Sequence, residues 1–110
     1  MHFLAPPVIS PFDATIRVDV SSKVTILCTI NRGTPPFTIE WMKDGTLIQQ
    51  NDNTKIKGDE EDSNLMIRST RETDAGNYTC IAKNAYGSDS FATQLVVQGK
   101  VPMTLQTSSN

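Results

Sequence analysis

The sequence is poor in the residues that carry chemistry. It holds one histidine, His2, and two cysteines, Cys28 and Cys80. One imidazole in a terminal segment and two distant thiols do not make a metal cluster. No nucleophile has a histidine to activate it. A Gly-rich phosphate loop and a Gly-x-Ser-x-Gly elbow are both missing. These absences speak against an enzyme, and they point to no catalytic residue, cofactor, metal or small-molecule substrate. Charge of one sign is missing too. Ten Lys+Arg stand against 12 Asp+Glu, a net charge of -2. Nothing there would hold a phosphate backbone, so nucleic acid is not expected as a partner. No apolar run approaches the roughly 18–20 residues of a membrane helix. Met1-His2-Phe3-Leu4-Ala5-Pro6-Pro7 has neither the basic region nor the apolar core of a signal peptide. The piece therefore reads as one domain of a longer chain, tied to a membrane only through the remainder.

What is present fits one soluble domain. The chain has 110 residues, with 37% hydrophobic and 20% charged. A chain of this size buries roughly 65% of its unfolded surface, enough for one modest core. Turn residues recur through it: Pro6, Pro7 and Pro11, then Gly33, Pro35 and Pro36, then Gly45, Gly58, Gly76 and Gly87. Regular short runs between such signals predict an all-β sandwich or barrel. The runs alternate. Val24, Ile26, Cys28 and Ile30 share one face, as do Phe37, Ile39 and Trp41. Leu65 and Ile67 follow, then Tyr78, Cys80 and Ala82, then Phe91, Thr93, Leu95 and Val97. A period of two means strands with one buried face.

Asp44-Gly45 is a strong hairpin signal, because such a turn needs positive φ. Asn84-Ala85-Tyr86-Gly87-Ser88 is a second hairpin candidate. Asp59-Glu60-Glu61-Asp62 lacks the spaced oxygen ligands of a calcium loop and reads as a solvated loop. Residues 1–6 are read as a leader, 7–98 as the folded domain and 99–110 as a linker or tail.

Six residues narrow the fold. Cys28 and Cys80 both face inward, Trp41 lies 13 positions after the first, and Tyr78 two before the second. With Asp74 and Gly76 they complete an Asp-x-Gly-x-Tyr-x-Cys string. This spacing resembles an immunoglobulin-like two-sheet Greek-key sandwich of the I-set type. The glycine suits the corner, and the tyrosine hydroxyl can tie it to upstream backbone. Two readings of the cysteines stand at this point. Buried free thiols suit an intracellular domain, whereas the disulfide that the resemblance implies needs an oxidising compartment. Closing a loop of about 50 residues contributes roughly 4 kcal/mol on the chain-entropy model. Asn77-Tyr78-Thr79 is a glycosylation acceptor triplet, which favours secretion.

Further strings resemble Down syndrome cell adhesion molecule (Dscam) domains. They are Pro6-Pro7-Val8-Ile9-Ser10-Pro11-Phe12, the Cys28–Phe37 stretch, Trp41-Met42-Lys43-Asp44-Gly45 and Ala82-Lys83-Asn84-Ala85-Tyr86-Gly87. The particular likeness is to the variable first domain of the shortened Dscams of chelicerates. One departure is Ser21, where such domains carry glycine. The resemblance implies an extracellular position on the plasma membrane and isoform-specific binding to an identical copy, two copies packing antiparallel through one sheet face. The competing readings are a heterophilic or immune receptor and a spacer in an array.

Strand phase suggests which face. Thr25, Leu27 and Thr29 point outward on one strand, and Asn64, Met66 and Arg68 on its expected neighbour. Leu27 and Met66 would form a small apolar centre. Lys55, Lys57 and Arg68 would rim it, with Arg17 and Asp19 flanking on the first strand. An apolar centre with a charged rim suits a self-complementary two-fold contact. The opposite sheet presents Glu40, Met42, Asn77 and Thr79, where a glycan on Asn77 would obstruct contact.

Overall fold

The computed structural model describes residues 4–99. Nine strands follow in order: β1 (Val8–Ile9), β2 (Thr15–Asp19), β3 (Val24–Arg32), β4 (Thr38–Lys43), β5 (Thr46–Leu47), β6 (Thr54–Gly58), β7 (Asp62–Ile67), β8 (Gly76–Asn84) and β9 (Gly87–Gln98). A 3-10 turn spans Glu72–Asp74. Two sheets result, ordered β1-β3-β7-β6 and β2-β9-β8-β4-β5. This is the all-β sandwich that the immunoglobulin resemblance implies, and Cys28 and Cys80 form a disulfide between its sheets.

The inward sets meet in one core. Val24, Ile26, Cys28, Leu65 and Ile67 from one sheet face Trp41, Tyr78, Cys80, Ala82 and Leu95 from the other. The Asp44-Gly45 hairpin forms as expected. Lys43 pairs with Thr46, and both central residues take positive φ, 50° and 84°. The second hairpin closes on the Asn84–Gly87 pair.

The first strand departs from expectation, because it is split between the sheets. Ser10 N–H still reaches Thr29 O at 2.9 Å, on the β3 side. Pro11 then has no N–H to continue that ladder. By Ala14 the chain has crossed, and Ala14 O accepts from Gln94 N–H at 2.8 Å. β2 runs parallel to β9, with Arg17 opposite Val96 and Asp19 opposite Gln98. Arg17 and Asp19 thus lie on the five-stranded sheet and do not flank Leu27 and Met66.

Leu4 to Pro6 belong to the fold's edge. Ala5 N–H donates to Thr34 Oγ1 and Ala5 O accepts from Thr34 N–H. Asn84 Nδ2 donates to both Ala5 O and Thr34 O, and Asn84 Oδ1 takes Tyr86 N–H. One amide side chain therefore fastens three segments. Gly33 permits this approach, since a Cβ there would come within 2.7 Å of the Pro7 Cα. Residues 1–3 and 100–110, within the expected leader and tail, lie outside the described residues.

Candidate interaction face

The outer surface of β3, β7 and β6 is built by register. Thr25 pairs with Met66, and Met66 with Lys55. Leu27 pairs with Asn64, and Asn64 with Lys57. Thr29 pairs with Asp62. Neighbours in a row sit side by side, and Leu27 and Met66 lie on the diagonal, within reach of long side chains. Leu27 is 51% exposed, whereas Ile26 and Cys28 beside it are buried. Met66 is half-buried. Arg68 follows β7, exposed, its N–H bonded to Asn53 O.

The strand crossing decides what borders Leu27. Where β1 gives way to β2, a shallow groove of about 280 Å³ opens, lined by Pro11, Phe12, Asp13, Ile16, Thr25 and Leu27 among others. Phe12, one of the lining residues, packs on Phe91, ring centroids 4.5 Å apart. These neighbours take the place expected for Arg17 and Asp19. Pro11 was the sequence signal for the break.

At the far end of the same face, the β6–β7 hairpin carries the acidic run. Asp59 Oδ1 accepts the N–H groups of Glu61 and Asp62, at 2.8 and 3.1 Å. Those two backbone donors hold the Asp59 carboxyl below the usual carboxylate range. The run is thus a capped turn, and no group of three or more metal-binding side chains occurs among the described residues.

The opposite face presents Glu40, Met42, Asn77 and Thr79 outward, in the expected phase. Lys83 and Glu40 pair there at 3.6 Å. Asn77 is exposed and its backbone is pinned: N–H to Asp44 Oδ1 and C=O from Asp44 N–H, both 2.9 Å.

The corner residues hold the faces in place. Tyr78 Oη donates to Asp74 O, and Asp74 Oδ2 accepts Arg71 N–H at 2.8 Å. Burial pushes the Tyr78 hydroxyl pKa well up, with the Asp74 and Asp44 charges adding to it. Lys43 Nζ lies 5.9 Å above the Tyr78 ring. Two further residues escaped the sequence reading. Ser63, on β7, accepts the Trp41 indole N–H at 2.9 Å. Thr70, 1% exposed, gathers the β2–β3 turn. Its hydroxyl donates to Asp19 O and accepts Ser22 N–H, while its backbone bonds Ser21 and Ser22. Neither carries a motif; Ser63 had only its inward phase, next to Asn64.

Two sheets joined by Cys28–Cys80, with Trp41 against the bridge and Tyr78 at the corner, define an immunoglobulin-type domain. The model of the immunoglobulin I-set domain matches residues 7–97, and the chain belongs to that family. It is 37% identical over 93 residues to the mouse cell adhesion molecule DSCAML1, covering 84% of this chain and 4% of that protein. Human hemicentin-1 is 37% identical over 97 residues, covering 88% and 2%. The human cell adhesion molecule DSCAM is 36% identical, covering 84% and 5%. The chain thus spans a small fraction of the curated relatives it matches. Among solved structures, an I-band fragment from titin superposes with a TM-score of 0.80 at 33% identity, covering 88% of this chain and 34% of that one. A chain of a complex of titin with the obscurin-like 1 Ig domain gives a TM-score of 0.80 at 26% identity, covering 89% and 99%. No helix among the described residues is long and apolar enough to cross a membrane.

Proposed function

We propose that this domain acts on the extracellular side of the plasma membrane in cell adhesion, by isoform-specific binding to an identical copy of itself. The observation that carries the reading is the placement of Leu27, half exposed at the centre of a sheet face whose rim is charged. The similarity to DSCAML1 and DSCAM, both cell adhesion molecules, supports it. The interface comprises Thr25, Leu27, Thr29, Lys55, Lys57, Asn64, Met66 and Arg68, two copies packing antiparallel. Arg17 and Asp19 drop out, because their sheet faces away. Pro11 and Phe12 take their place beside Leu27.

Specificity follows from the two-fold relation. Each residue meets a fixed partner on the other copy, so a like-charge mismatch rejects close relatives. A single small face binds weakly, and many copies per membrane supply the avidity. An N-glycan on exposed Asn77 would shield the five-stranded sheet and leave the four-stranded one free.

Sedimentation equilibrium over a wide concentration range tests this, with Leu27→Asp and Met66→Asp alongside. The expected result is a concentration-dependent dimer lost in both variants. A dimer that survives both moves the interface elsewhere, and a monomer throughout favours a heterophilic receptor. A spacer role is the second reading, favoured by the superposition on the titin fragment.

A further inference from the structure

The candidate face is charged unequally along its strands. One end holds the hairpin with Asp59, Glu60, Glu61 and Asp62, all on its exposed rim except the half-buried Asp62. At the other end Lys23, Lys55 and Arg68 line a shallow depression of about 270 Å³ with Met66, Asn53 and one carboxylate, Asp52. Arg68 lies six residues along the chain from Asp62, through β7 and its continuation, about 20 Å at roughly 3.3 Å per residue. The row through Leu27 and Asn64 lies two residues from Asp62 and two from Met66.

We infer that this polarity sets the order in which two copies meet. The acidic hairpin of one copy seats in the basic depression of the other, and the reverse contact forms at the far end. The inference rests on the self-recognition reading above and names the charges that direct it. A two-fold axis in the contact plane, crossing the strands at the Leu27–Asn64 row, reverses the strand direction of the second copy; it also sets the Lys57 side chains of that row against each other, a repulsion that the two end contacts offset. Asp62 then comes over the Met66–Lys55 row. Glu60 and Glu61 come over Arg68 and Lys23. With the axis along the strands instead, acid would meet acid and base would meet base, which opposes binding. Opposite charges in both contacts of one dimer give the face an orientation that Leu27 alone lacks, since an apolar spot has no direction. Met66 at the base of the depression packs against the stems of the incoming side chains.

Charge reversal tests this on the whole domain. All four residues to be changed are exposed, so the fold tolerates them. Lys23→Glu with Arg68→Glu reverses the two cations that Glu60 and Glu61 meet and turns the depression acidic. Glu60→Lys with Glu61→Lys takes the hairpin from four negative charges to none and sets cations over Arg68 and Lys23. Sedimentation equilibrium is run on the parent domain, each double variant, their equimolar mixture and the variant combining all four changes. Each double variant alone should lose about tenfold or more in self-association. The mixture should recover a heterodimer, and the combined variant a homodimer. Dimerisation of the parent domain should weaken as salt rises from low to high concentration. A double variant that dimerises as well as the parent overturns the charge pairing and leaves self-recognition standing. Weak variants that do not recover on mixing overturn it as well. A parent domain that stays monomeric overturns self-recognition and this inference together.

Discussion

The indole N–H of Trp41 donates to the hydroxyl of Ser63 across the sandwich, 2.9 Å away. Register makes this bond part of a pair. Trp41 sits opposite Cys80 on the five-stranded sheet, and Ser63 sits opposite Cys28 on the four-stranded one. The disulfide and the indole bond therefore join the same two rungs, one covalently and one by a hydrogen bond. Both Trp41 and Ser63 are buried, so no bulk water can replace either partner. Ser63→Ala should strand the indole donor and destabilise the domain by about 1–3 kcal/mol. Urea unfolding followed by tryptophan fluorescence measures this, and an unchanged midpoint would show that the bond adds nothing.

The Tyr78 hydroxyl carries a pH signature. Its pKa is raised by burial, so the folded state keeps the proton beyond the pH at which the unfolded chain, near 10, releases it. The unfolded state then holds fewer protons, and stability falls as pH climbs past about 10. Tyr78→Phe should cost about 1 kcal/mol at pH 7 by removing the bond to Asp74 O. It should also flatten the alkaline fall relative to the parent. Parallel pH-dependent melts of the two proteins read both effects.

Ser21 occupies a backbone position that suits glycine. Its φ is 68°, and it is the third residue of a turn closed by Ser22 N–H on Asp19 O. That turn position favours glycine when φ is positive. The turn survives because Thr70 holds it from the core side. Ser21→Gly should relieve part of the left-handed strain and stabilise the domain by about 0.5–1 kcal/mol, net of the added freedom of the unfolded chain. A loss of thermal stability would mean that the strain is already compensated.

Thr93 contributes a hydroxyl with no hydrogen-bond partner among the described residues, in a fully buried position. Its strand phase points it at the core, between Phe91 and Leu95. Thr93→Val removes the unpartnered oxygen while keeping the branched shape. A gain of about 1 kcal/mol is expected in chemical denaturation. A loss would show that the hydroxyl has a partner in solution.

Much of this molecule was legible before any coordinates. The alternation around Cys28, Trp41 and Cys80 identified inward faces, because side-chain phase is a local property of an extended strand. The same phase put Leu27 and Met66 on the outside. The Asp44-Gly45 turn was equally local, needing only two residues that accept positive φ. Ser63, Thr70 and Asn84 were not legible as bonding residues. Serine, threonine and asparagine are common on surfaces, and nothing nearby in the chain marks a partner 22, 51 or 79 positions away.

Arg17 and Asp19 mark the boundary between the two kinds of information. Both are exposed and alternate with Ile16 and Val18, which pack on the core. They do not flank Leu27, because alternation says which face of a strand is buried and nothing about which neighbour its N–H and C=O groups will find. Alternation and spacing were enough to define a two-sheet immunoglobulin domain, its inward residues and its exposed apolar spot. The tertiary structure alone decided which strand the chain joins after the break at Pro11, β9 in place of β3. That choice is made by backbone hydrogen bonds between segments some 80 residues apart, which no local pattern encodes.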